Sequence, residues 1–208
     1  MAESSASRFS PSLPARFDWE CGGSRTFESG VVLEAIASPA TGGVLCLRSR
    51  PEAGVERAIL YWLGSLSPPP VNSSAERDGW RLARLSPDEW WVVRHSGSDA
   101  TLGEEPLREL AIERVLAAAH VVDLSSAFVR FRLSGPGAAL ALNSGCPLDL
   151  HGAAFPVSAA TRTVVAKAEV VLVRLADGGG GESRFEVFIP RSFASYVWRW
   201  CETTALRL

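Results

Sequence analysis

The stretch Phe185-Glu-Val-Phe-Ile-Pro-Arg-Ser-Phe-Ala-Ser-Tyr-Val-Trp-Arg-Trp-Cys201 reads as a strand, a stop and an aromatic helix. Phe185, Val187 and Ile189 alternate with Glu186 and Phe188, the period of two that marks a strand. Pro190 has no N–H to give a sheet ladder, so the strand ends there. Ser192 is placed to cap a helix beginning at Phe193. On a helical wheel Phe193, Ala194, Tyr196, Val197, Trp198, Trp200 and Cys201 fill roughly 200°, about twice the stripe an ordinary surface helix buries. One sheet does not need so wide an arc. The excess predicts a second apolar contact, made with another protein.

Upstream of this stretch, Asp177-Gly-Gly-Gly-Gly181 reads as a hairpin loop, and Arg162 to Arg174 as one long or broken strand. Ser134-Gly-Pro136 opens a short helix and Gly145 closes it. Phe128 to Leu133 alternates, with Val129, Phe131 and Leu133 inward and Arg130 and Arg132 outward. Val121 to Leu124 is a further strand, and Leu102 to Ala119 has helical propensity and a shared apolar face. Trp80 to Leu85, the turn Ser86-Pro-Asp-Glu89 and Trp90 to Val93 form a hairpin with Pro87 at the second turn position. Val31 to Ile36 and Val44 to Leu47 are short strands, and the three prolines 68–70 remove three backbone donors, which makes Ser65 to Ser74 a stiff loop. Residues 1–30, rich in Ser, Gly, Pro and Arg, are expected to be a mobile or partner-ordered arm. Residues 31–208 are expected to form one domain, with any division into two lobes near 120–134. Helices interleave with antiparallel β-hairpins, so the fold class is α+β.

The composition sets limits on function. The 208 residues are 47% hydrophobic and 21% charged, enough for a packed core. A net charge of -2, with Lys167 the single lysine, gives no footprint for nucleic acid or for anionic lipid. No run approaches the ~18 apolar residues that cross a bilayer, and Met1 to Phe9 lacks the apolar core of a secretory signal. Cys21, Cys46, Cys146 and Cys201 are scattered without metal-type spacing, which fits a reducing, cytoplasmic setting.

Residues that carry chemistry elsewhere have simple structural readings here. The glycines 178–181 join two strands between Asp177 and Glu182, whereas a phosphate cradle opens a helix. Cys146 and His151 lie five apart, but no orienting third group accompanies them. His95, His120 and His151 are too dispersed for a metal site. Asp123 and Asp149 sit in apolar sequence, where a carboxylate must find a partner; Asp123, just ahead of Ser125, is placed to cap a turn. Arg130, Arg132, Arg162, Arg174 and Arg191 read as a solvated or interface face, with a carboxylate ligand or partner as the alternative. Of the seven tryptophans, five cluster at 80–91 and 198–200, in excess of what the core needs. Tryptophan is enriched at interfaces. Trp90, Trp91, Phe193, Tyr196, Trp198 and Trp200 are therefore the expected contact residues.

The order of these motifs resembles the gamma subunit of heterotetrameric sarcosine oxidase. The resemblance rests on Val122-Asp-Leu-Ser125, Leu133-Ser-Gly-Pro136, Gly145-Cys-Pro-Leu-Asp-Leu150, Phe155-Pro156, Arg162-Thr163 and Arg191-Ser-Phe-Ala-Ser-Tyr-Val-Trp-Arg-Trp200, together with the turn Leu85 to Trp90. It covers about residues 80–206. Ser158 departs from it, since a glycine is expected after Phe-Pro. The resemblance implies a fold similar to the folate-binding domain of aminomethyltransferase-like proteins. It implies a complex that oxidatively demethylates sarcosine or a related N-methyl amino acid. FAD, FMN and NAD would sit on partner subunits, with tetrahydrofolate as the one-carbon acceptor. It implies alpha, beta and delta subunits as partners, and for this chain no catalytic, cofactor-binding or metal residues. Two alternatives stand beside this reading. One is a folate-type binding module using an arginine and a buried acid such as Asp123; the other is a free-standing aminomethyltransferase-like protein.

Overall fold

A computed structural model describes residues 23–36, 43–49, 68–77, 79–95 and 119–208. The strands are β1 (Gly23–Thr26), β2 (Val32–Ile36), β3 (Val44–Ser49), β4 (Ser73–Arg77), β5 (Trp80–Ser86), β6 (Glu89–Arg94), β7 (Ala119–Asp123) and β8 (Phe128–Ser134). Helix α1 (Ala138–Asn143) follows, then β9 (Ala160–Val165), β10 (Ala168–Arg174) and β11 (Arg184–Pro190). A 3-10 turn (Arg191–Phe193) leads into helix α2 (Ala194–Ala205). Two antiparallel sheets result, ordered β1-β2-β8-β11-β10-β9 and β4-β5-β6-β3-β7. The fold is α+β.

The layers follow from alternation along the strands. Val129, Phe131 and Leu133 of β8 and Phe185, Val187 and Ile189 of β11 point to the helices, meeting Leu142 of α1 and Val197, Trp198 and Cys201 of α2. On the opposite face, Val171, Val173 and Phe188 of the first sheet meet Val44, Ala83, Trp91 and Val93 of the second. The centre of the first sheet is therefore buried on both faces, and three layers stack. This corrects the outward placement of Arg130: its face is closed by the second sheet, and the side chain is buried. The two sheets are also stitched along one edge. Ser74 N–H donates to Ser158 O at 2.7 Å and Ala160 N–H to Asn72 O at 3.0 Å.

Three further expectations change. Arg162 to Arg174 is split between β9 and β10 by a two-residue turn at Ala166 and Lys167, with φ of 51° and 71°. Gly or Asn ordinarily marks such a turn, and neither is present. Gly23–Thr26, expected in the arm, pairs as β1 with β2; residues 1–22 lie outside the described residues. Ser192 lies within the 3-10 turn, and Phe193 occupies the N-cap of α2 without a side-chain cap. The helix expected over Leu102 to Ala119 falls on residues outside the described set, apart from Ala119, which belongs to β7. Residues 120–134 are where the chain passes from the second sheet to the first.

Candidate functional site

Helix α2 divides its aromatics between two sides. Trp198 is 1% exposed and meets Phe131 edge-on at 5.1 Å between ring centroids. Trp200 is partly buried and packs where Gly145 leaves room; a Cβ there would lie 2.4 Å from its ring. Phe193 and Tyr196, by contrast, are 45% and 47% exposed. Ser29 Oγ–H donates to Ala205 O at 2.8 Å, and Arg25 pairs with Glu202, so the hairpin β1–β2 braces the end of the helix.

The tryptophans of the β5–β6 hairpin are core residues. Trp90 and Trp91 are each 1% exposed. The Arg84 guanidinium lies 4.5 Å over the Trp90 ring, and Trp91 sits between the sheets against Phe128 and Phe188. Burial thus removes Trp90, Trp91 and Trp198 from the expected contact surface, because alternation and layering give each a full set of neighbours inside the chain. Of the six expected contact residues, Phe193 and Tyr196 are presented to solvent and Trp200 in part.

Two buried carboxylates clamp the sheets together. Glu186 of the first sheet accepts from Arg81 Nη1 of the second at 2.8 Å and from Arg130 Nε of its own sheet at 2.6 Å. Arg81 also pairs with Glu76, and Arg130 Nη1 donates to Arg94 O at 2.8 Å. Burial alone would raise the Glu186 carboxyl, but the Arg130 and Arg81 guanidinium groups outweigh it and hold the group at about 2. Glu89 mirrors this from the second sheet. It accepts from Arg48 Nη2 and Trp91 Nε1, each at 2.9 Å, and pairs with Arg162 of β9. Burial opposes its charge, and these donors hold the carboxyl below the usual range. The sequence signal was an acid in apolar sequence, noted for Asp123 and Asp149 and equally present at Glu186, whereas Glu89 reads as the last residue of a turn.

Around Glu186 the sheets part into a cleft of about 240 Å3, lined by Glu76, Arg81, His95, Arg130, Arg132, Arg184 and Glu186, with Leu175 and Ala176. Burial and the Arg81 guanidinium push the His95 imidazole down. Of the remaining arginines, Arg174 pairs with Asp177 and stacks 4.8 Å over Phe185, and Arg191 Nε donates to Ser126 O at 2.8 Å.

The residues considered for catalysis are engaged elsewhere. Cys146 Sγ lies 3.6 Å from Thr163 Oγ1, while His151 is exposed and its Nδ1 accepts from Ala153 N–H. Burial pushes the Cys46 thiol up to about 11, with Glu89 adding to the effect, and the Cys201 thiol up to about 12, which makes both poor nucleophiles. Asp123 takes the capping role, its Oδ1 accepting from Ser125 N–H at 2.8 Å and from the Ser125 hydroxyl. Asp149 accepts from His151 N–H at 2.9 Å. The glycines 179–181 face open space in the loop between β10 and β11. Among the described residues no group of three His, Cys, Asp or Glu is placed to hold a metal, and no helix is long and apolar enough to cross a membrane.

Helices on one face of an antiparallel sheet and a second sheet on the other define a three-layer α+β protein. The aminomethyltransferase T of the glycine cleavage system from Bartonella henselae is similar in fold, with a TM-score of 0.55 at 18% identity, over 76% of this chain and 42% of that one. At that identity the likeness speaks for the fold alone. The model of the sarcosine oxidase, gamma subunit family matches residues 66–206, and the chain belongs to that family. The sarcosine oxidase subunit gamma of Arthrobacter sp is 34% identical over 170 residues, 78% of this chain and 73% of the relative. That of Corynebacterium sp. (strain P-1) is 30% identical over 170 residues, 79% and 70% of the two chains. A chain of the heterotetrameric sarcosine oxidase from Corynebacterium sp. U-96, solved in complex with pyrrole 2-carboxylate, is similar with a TM-score of 0.69 at 26% identity, over 88% of this chain and 87% of that one.

Proposed function

We propose that this chain is a non-catalytic subunit of a heterotetrameric, sarcosine oxidase-like complex, where it supports flavin-bearing partners. The observation that carries the reading is the family match over residues 66–206 in a chain whose buried thiols and acids are committed to its own packing. The reaction is oxidative demethylation of sarcosine or a related N-methyl amino acid in the cytoplasm. FAD, FMN and NAD are held by the large alpha and beta subunits, tetrahydrofolate accepts the one-carbon unit in a domain of the alpha subunit, and a delta subunit is the remaining partner. The contact surface is the outer side of α2, centred on Phe193 and Tyr196 with the edge of Trp200. It is supported by the exposure of two large aromatics beside a helix face that is otherwise buried. Aromatic side chains in that setting are the usual anchors of protein interfaces.

Co-expression of the tagged full chain with the products of neighbouring genes, followed by affinity purification, tests the proposal. The expected eluate contains larger subunits, shows flavin absorbance and oxidises sarcosine or a related N-methyl amino acid. An eluate of the chain without any flavoprotein would overturn it.

A further inference from the structure

The cleft around Glu186 holds more positive charge than its own acids balance. Arg81, Arg130, Arg132 and Arg184 face Glu76 and Glu186, four guanidinium groups against two carboxylates. The register explains the crowding. Arg132 of β8 sits directly across from Glu186, and Arg184 lies two residues before Glu186 on the same face of β11. Glu34 of β2, opposite Arg132 on its other side, accepts from Arg132 Nη1 at 3.1 Å. Counting Glu34 still leaves Arg184 with no ion-pair partner among the described residues. The Arg184 stem rests on Gly178, whose missing Cβ would lie 3.4 Å from it. Arg132 adds a second guanidinium beside it, whose Nε is buried and makes no hydrogen bond. An unpaired buried donor is costly, and like charges on one sheet face repel. The repulsion falls if an anion enters. The space of about 240 Å3 is several times the share of one water molecule, ~30 Å3.

We propose that this cleft binds a carboxylate, with the Arg184 fork as its main partner and the Arg132 charge beside it. A guanidinium presents two parallel N–H groups that match the two oxygens of a carboxylate. The carboxylate belongs either to a small organic acid or to an acidic side chain of a bound partner. The second source rests on the assembly proposed above.

The test has two arms, each run on the full chain as wild type, Arg184→Gln, Arg184→Lys and Arg207→Gln. Arg207 is exposed and outside the cleft, so its loss controls for net charge. In the first arm the melting temperature is followed against succinate and against sodium chloride of equal ionic strength. A free-acid site gives a succinate shift beyond chloride in wild type and Arg207→Gln, on the order of tenfold weaker binding in Arg184→Gln and an intermediate value in Arg184→Lys. In the second arm the co-expressed complex is recovered by affinity. A partner carboxylate gives no succinate shift, but reduced recovery with Arg184→Gln and full recovery with Arg207→Gln. The proposal is overturned if Arg184→Gln changes neither readout, or if Arg207→Gln reproduces its effects. If wild type recovers no partner at all, the assembly reading fails, and the first arm alone decides the cleft.

Discussion

At the scale of single residues, Glu186 sets how the chain responds to acid. Its folded carboxyl, held at about 2, lies below the ordinary value of 4.5 that it regains on unfolding. As pH falls the unfolded chain takes up the proton first. The stabilisation is therefore complete above 4.5 and is lost as pH drops towards 2. Thermal melts between about pH 5 and pH 2.5 should show a falling midpoint. Glu186→Gln should cost roughly 3–5 kcal/mol at neutral pH, because two buried guanidinium groups lose their charge partner, and should flatten the acid limb. Ser158 is a second residue with a definite cost. It sits at φ 70° where the resemblance expects glycine, and its backbone is pinned by Ser74 N–H and by its own donation to Arg174 O. Ser158→Gly removes that strain while loosening the unfolded chain, for a net gain of roughly 0.5 kcal/mol and a slightly higher melting temperature.

Secondary-structure elements show where the sequence was legible. The β5–β6 hairpin, the short helix α1, the loop 177–181 and the strand–stop–helix at the end were all readable, because Pro87, Gly145, Gly178 and Pro190 punctuate clear periodicities. The β9–β10 turn was not, because Ala166 and Lys167 carry no turn signal and their positive φ is imposed by the pairing on either side. The orientation of Arg130 was missed for a different reason. Alternation separates two faces of a strand but does not say that a second sheet covers the polar one. The same gap turned Trp90, Trp91 and Trp198 into expected surface residues and hid the Glu186 cleft, which exists only once β5 lies over β11. Gly145 tests the packing of elements directly. A methyl group there would strike the Trp200 ring, so Gly145→Ala should cost about 1–3 kcal/mol and shift the tryptophan fluorescence as the ring is displaced.

On the scale of the whole molecule, the described residues form three layers, and two buried carboxylates fasten the two sheets. The chain's wide aromatic arc is split between an inner side that folds it and an outer side proposed to join it to partners. The inner side accounts for Trp198, the outer for Phe193 and Tyr196. The most direct measurement compares Trp198→Ala with the double variant Phe193→Ala/Tyr196→Ala, reading both the melting temperature of the chain and the recovery of its flavoprotein partners. Trp198→Ala should lower stability by roughly 3–5 kcal/mol. The double variant should melt within about 0.5 kcal/mol of wild type and yet recover much less partner. Full recovery of the flavoprotein by the double variant would contradict the account.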